Sequence, residues 1–83
     1  MNLKILFFSS LRTITDCDEI TMAFESKEPL NVADVLERLY IVYPDLREWD
    51  SQVLVSLDQE YVDRKEVVRE GQELAIMPPV QGG

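Results

Sequence analysis

The chain has 83 residues, 46% of them hydrophobic, with sixteen acidic against eight basic residues, a net charge of −8 and no histidine. That length allows one domain with a single core, and the negative charge sets it against phosphate backbones and anionic membrane surfaces, so neither nucleic acid nor a membrane is expected as a partner. A chain without imidazole lacks the usual proton shuttle at neutral pH and the commonest metal ligand, which argues against self-contained acid/base or metal catalysis.

Residues 2–9 alternate Leu3, Ile5 and Phe7 against Lys4, Leu6 and Phe8, a period of two that predicts a strand with one face in the core and Phe8 on the other. A polar stretch over 13–18 comes next, and the run 19–24 repeats the alternation with Ile20, Met22 and Phe24 inward, so the two strands are expected to form an antiparallel hairpin. Asn31 can cap a helix whose apolar face is Val32, Val35, Leu36, Leu39 and Val42 or Tyr43, with Asp34 in the first turn and Pro44 barring continuation. Strands are expected over 52–57, 60–62 and 72–77, with Glu70-Gly71 supplying the last turn. The order ββαβ(β)β around one central helix is that of an α+β, β-grasp (ubiquitin-like) mixed sheet. Its expected core is Leu3, Ile5, Phe7, Ile20, Val35, Leu36, Leu39, Val55, Leu57, Leu74 and Ile76.

The sequence closes on Pro78-Pro79-Val80-Gln81-Gly82-Gly83. The prolines hold φ near about −65° and bias their neighbours to extended backbone, so the tail is expected to leave the sheet as a stiff stalk reaching at most roughly 20 Å. Glycine has no side chain, so a terminal Gly-Gly can thread a narrow channel and bring its α-carboxylate to a buried reaction centre. The expected division is a β-grasp domain over 1–77 and a flexible tail over 78–83.

No apolar run approaches the ~20 residues of a bilayer span, and residues 1–11 lack the charged start and cleavage site of a signal peptide, so a cytoplasmic location is expected. The lone Cys17 cannot close an internal disulfide, and its neighbours Asp16 and Asp18 do not make the electropositive setting of a reactive thiol. Trp49 is expected to pack as a loop anchor. Asp45, Glu48 and Asp50 form an acidic cluster without the converging ligands that a metal site needs.

Leu6-Phe7-Phe8 with Arg12 shortly after, the capped helix from Asn31, Glu70-Gly71-Gln72-Glu73-Leu74-Ala75 and the Pro-Pro-Val-Gln-Gly-Gly end resemble the small, sulfur-carrier subunits of molybdopterin synthase. The resemblance covers nearly the whole chain and is weakest over 13–30. The sequence departs from the bacterial pattern at Leu57-Asp58, where many members have Val-Asn, and at Met77, where an aromatic residue often precedes the prolines.

The resemblance implies that an adenylating enzyme of the ubiquitin-activating type uses ATP on the Gly83 carboxyl, that a sulfur donor converts it to a thiocarboxylate, and that a large synthase subunit receives the tail. It further implies two small and two large subunits, no cofactor bound by this chain, and sulfur transfer to a cyclic pyranopterin monophosphate precursor to build the molybdopterin dithiolene. Gly83 would be the reacting residue, with Gly82, Gln81, Val80, Pro79 and Pro78 threading the channel. Phe8, Tyr61, Met77 and Arg12 match the partner-binding positions. The alternatives for the same Gly-Gly end are a protein modifier conjugated through Gly83 and a sulfur carrier for thiamin thiazole synthesis.

Overall fold

The period-two alternation at the start of the chain becomes strand β1, Asn2–Phe7, with Leu3, Ile5 and Phe7 buried and Asn2 and Lys4 exposed. The computed structural model describes residues 1–25 and 28–79. β1 pairs antiparallel with β2, Glu19–Ala23, placing Leu3 opposite Met22 and Ile5 opposite Ile20. On its other side it pairs parallel with β5, Glu73–Met77, with Ile5 opposite Leu74 and Phe7 opposite Ile76. β3, Leu54–Leu57, runs antiparallel to β5, and the two-residue β4, Glu60–Tyr61, runs antiparallel to β3. The sheet order is therefore β2-β1-β5-β3-β4, the mixed β-grasp arrangement expected from the sequence. Every strand is a residue or two shorter than its apolar pattern, because the ladder stops where its partner turns away.

The central helix α2 spans Val32–Val42 and begins as the sequence requires. The Asp34 N–H donates to Asn31 Oδ1 at 2.9 Å while the Asn31 N–H donates to Asp34 Oδ2 at 3.0 Å, a reciprocal capping box. Two further orphan donors of the first turn, the N–H groups of Val32 and Ala33, reach the carbonyls of Glu66 and Arg64 at 3.0 Å each. The segment before β5 thus closes the helix start, and it is fixed there by Val68, whose buried side chain joins the core. Val32, Val35, Leu36, Leu39 and Tyr40 face the sheet. Of the two candidates for the last apolar contact, Tyr43 makes it, its ring edge-on to Phe7 at 5.7 Å between centroids, while Val42 is exposed.

Two short helices complete the fold, where the sequence pattern predicts only a polar stretch and a loop. Helix α1, Ser10–Thr15, buries Leu11 completely, and a 3-10 helix over Pro44–Trp49 buries Leu46. Each is six residues long, too short to show a helical period; α1 is anchored by buried Leu11 and Thr15, and the 3-10 helix by buried Leu46 with half-buried Trp49. The first two strands therefore pair antiparallel as expected, but α1 lies in their connection. The expected core residues are buried except Ile20, which is half-buried because β2 is an outer strand of the sheet. Trp49 is half-buried and packs against the core.

A polar latch ties α2 to the two segments on either side of β3 and β4. The Tyr40 hydroxyl donates to the Asp50 carboxylate, and Arg64 donates both to that carboxylate, at 2.6 Å, and to the Asp50 carbonyl. Arg47 lies over the Tyr40 ring at 5.1 Å and pairs with Glu37 at 3.3 Å. Asp50, one of three acids in the sequence cluster, is thus a structural acceptor. Among the described residues no three of His, Cys, Asp and Glu are grouped so as to hold a metal ion.

Candidate functional site: the outer sheet face and the stalk

Strand parity sends Leu3, Ile5 and Phe7 to the helix and leaves Lys4, Leu6 and Phe8 on the opposite face. The registers carry that face across the sheet, since Leu6 lies opposite Ala75, Ala75 opposite Ser56, and Ser56 opposite Tyr61. The next row holds Phe8, whose N–H donates to the Ile76 carbonyl at 3.2 Å, and Met77 opposite Leu54. Phe8 is 46% exposed, Tyr61 72% and Leu54 36%, an apolar surface that isolated scatter does not produce. Leu6, Phe8, Ala75 and Met77 with Ser56, Gln59 and Glu73 line a depression of about 260 Å³ on this face. Phe8 and Met77 are thereby brought together, with Tyr61 on β4, two strands over from Met77.

The β3–β4 turn sets one rim of the depression. Asp58 and Gln59 take φ +50° and +72°, left-handed backbone that a two-residue hairpin turn requires. Asp58 tolerates it because its carboxylate accepts the Glu73 N–H at 2.9 Å and the Gln72 amide at 3.1 Å. The departure from Asn at this position therefore leaves the turn with a side-chain acceptor.

β5 is flanked by β1 and β3 along its length and ends at Met77, so the chain leaves the sheet in a set direction beside Leu54. Pro78 lacks the N–H that a ladder would need, and both Pro78 and Pro79 are half-buried. The threading residues Val80, Gln81 and Gly82 and the reacting residue Gly83 lie outside the described residues.

Arg12 stands elsewhere. It is exposed on α1, 3.6 Å from Asp18, and lines a separate open depression with Ser9, Thr13, Asp16 and Cys17 rather than the one containing Phe8 and Met77. An ion pair this exposed contributes little. Cys17 is half-buried, its Sγ 3.8 Å from the Tyr43 hydroxyl. Sequence reasoning missed Leu6, Ser56, Gln59, Glu73 and Ala75 as lining residues. The strand parity that exposed Phe8 would have placed Leu6 on the same face, but Ser56 needed the cross-strand register.

A five-stranded mixed sheet packed on one central helix, with its last strand in the middle, is the ubiquitin-like β-grasp fold. The chain belongs to the ThiS family, whose pattern matches residues 5–83. It is 33% identical to the molybdopterin synthase sulfur carrier subunit of Chlamydomonas reinhardtii, over the whole of both chains. Its structure is similar to that of small archaeal modifier protein 1 (SAMP1) of Haloferax volcanii, with a TM-score of 0.84, 24% identity and complete coverage of both chains. It is also similar to a chain of the complex of subunits 1 and 2 of molybdopterin-converting factor from Helicobacter pylori, with a TM-score of 0.71 and 18% identity, again over the whole of both chains.

Proposed function

We propose that this chain is the sulfur-carrier subunit of a molybdopterin synthase. The observation that carries the reading is the end-to-end similarity to a chain of that name in Chlamydomonas reinhardtii. The outer sheet face supports it, because a carrier needs a surface that positions its tail in a partner, and here that face adjoins the strand from which the stalk departs. The partner is a large subunit of the kind named with the Helicobacter pylori chain. Phe8, Met77 and Tyr61 dock on it, and Pro78 to Gly82 carry Gly83 into its reaction centre.

A carboxylate is a poor electrophile, since its charge is shared by two oxygens and oxide does not leave. Activation therefore precedes transfer. An adenylating enzyme joins the Gly83 carboxylate to the α-phosphorus of ATP and releases pyrophosphate. A persulfide sulfur then displaces AMP, and a thiol cleaves the resulting S–S bond to leave a C-terminal thiocarboxylate. Its sulfur attacks a cyclic pyranopterin phosphate held by the large subunit, and water returns the chain to the carboxylate. No side chain of this chain acts as acid or base, in keeping with a sequence free of histidine. Groups that bind the phosphorylated pterin belong to the large subunit, because a chain of net charge −8 is poorly suited to build a cationic pocket.

The test is reconstitution with large subunit, activating enzyme, ATP, sulfur donor and pterin precursor. The intact chain should support dithiolene formation, and the chain lacking Gly83 should support none while melting at the same temperature. Product formed equally by the Gly83-deleted chain would refute the assignment.

A further inference from the structure

Ser56 is the polar residue that the outer face does not explain. It is 7% exposed, yet among the described residues its hydroxyl has no hydrogen-bond partner. The register turns it away from the core that takes Val55 and Leu57, and places it in the floor of the depression beside Ala75. The hydroxyl is not sealed off, so it is open to solvent through the depression. A docked surface that displaces this solvent must supply a hydrogen bond in its place or leave a polar group buried at a cost. Glu73 lines the same depression, two residues along β5 from Ala75, which puts its Cβ roughly 7 Å from that of Ser56. Among the described residues its carboxylate has one distant cation, Lys4 Nζ at 4.0 Å, which also serves Glu19 at 3.8 Å.

We propose that Ser56 and Glu73 are a paired acceptor for a basic side chain of the docked partner, whose aliphatic stem lies along Phe8 and Met77. This inference rests on the docking reading above and adds the chemistry that the face selects. A carboxylate from the partner would be repelled by Glu73, whereas a donor-only cation satisfies both the hydroxyl and the carboxylate oxygens. A lysine or arginine also matches walls that are apolar and a base that is polar. The chain's net charge of −8 favours the same sign of partner. Ser56 and Glu73 are thus specificity-determining positions in the carrier.

Binding of the purified large subunit, measured by calorimetry at several salt concentrations, tests this with three variants. Ser56→Ala should raise Kd about tenfold, the loss of one hydrogen bond to a charged group, while the free domain melts at the same or a higher temperature. A structural hydroxyl would instead lower the melting temperature. Glu73→Gln should weaken binding at least fivefold and flatten its salt dependence. Phe8→Ala reports on docking itself. If Phe8→Ala weakens binding while Ser56→Ala leaves Kd within twofold, the paired acceptor is wrong and the docking face stands. If Ser56→Ala weakens binding but Glu73→Gln alters neither Kd nor salt slope, the inserted group is neutral and the cation is refuted. If Phe8→Ala itself has no effect, the docking reading fails first.

Discussion

Replacing Asp50 by Asn removes the charge from the latch while keeping its size, and the structure sets both the cost and its pH dependence. The Asp50 carboxylate accepts from the Tyr40 hydroxyl and from Arg64. Hydrogen bonds to charged groups contribute about 1.5–3 kcal/mol when well buried. The side chains of Asp50 and Arg64 are 39% and 37% exposed, so solvent screening brings the ion pair toward the surface value, and the expected loss is about 1–2 kcal/mol at neutral pH. The Tyr40 hydrogen bond, opposed by burial and helped by Arg64, holds the Asp50 carboxyl below the usual carboxylate range. A group whose folded pKa is depressed contributes stability that is whole above its unfolded pKa, about 3.9, and is lost as pH falls through the folded value. Urea titrations of both proteins, followed by the fluorescence of Trp49, should show the difference shrinking as pH falls below about 3.9 and through the depressed folded value. A difference below ~0.5 kcal/mol at pH 7, or one that persists undiminished in acid, would refute the latch.

The core assignment is checked by Leu36→Ala, which empties a side-chain position that is 1% exposed and should cost about 2–5 kcal/mol in the same titration. A loss below ~1 kcal/mol would show that α2 presents a different face. Phe8→Asp and Met77→Asp should each weaken large-subunit binding by ten-fold or more, roughly, with unchanged melting of the free domain, because a carboxylate would be buried where water is excluded. Wild-type affinity in both would remove the outer face from the docking account.

The main sheet and the central helix were legible because their signals are local. Leu3, Ile5 and Phe7 declare the strand by alternation, and Asn31 with Asp34 declares the helix start by capping chemistry that needs only three residues of separation. α1 and the 3-10 helix were not legible, since six residues with one fully buried leucine each, Leu11 and Leu46, are too few to show a period. The latch joins Tyr40 to Asp50 and Asp50 to Arg64, partners that meet only once the chain has folded. The site divides in the same way. Phe8 and Met77 were readable from parity, whereas the separation of Arg12 from them depends on the unrecognised helix that carries it. Ser56 looked like an ordinary strand residue until the register set it beneath the depression.

The most direct test of the sulfur-carrier reading is the intact mass of the chain after incubation with ATP, the activating enzyme and a sulfur donor. One oxygen should be exchanged for one sulfur, located at Gly83 by fragmentation, and the change should reverse when large subunit and pterin precursor are added. A chain that keeps its original mass after incubation with ATP, the activating enzyme and the sulfur donor alone, or that accumulates only as isopeptide conjugates through Gly83, would contradict that reading.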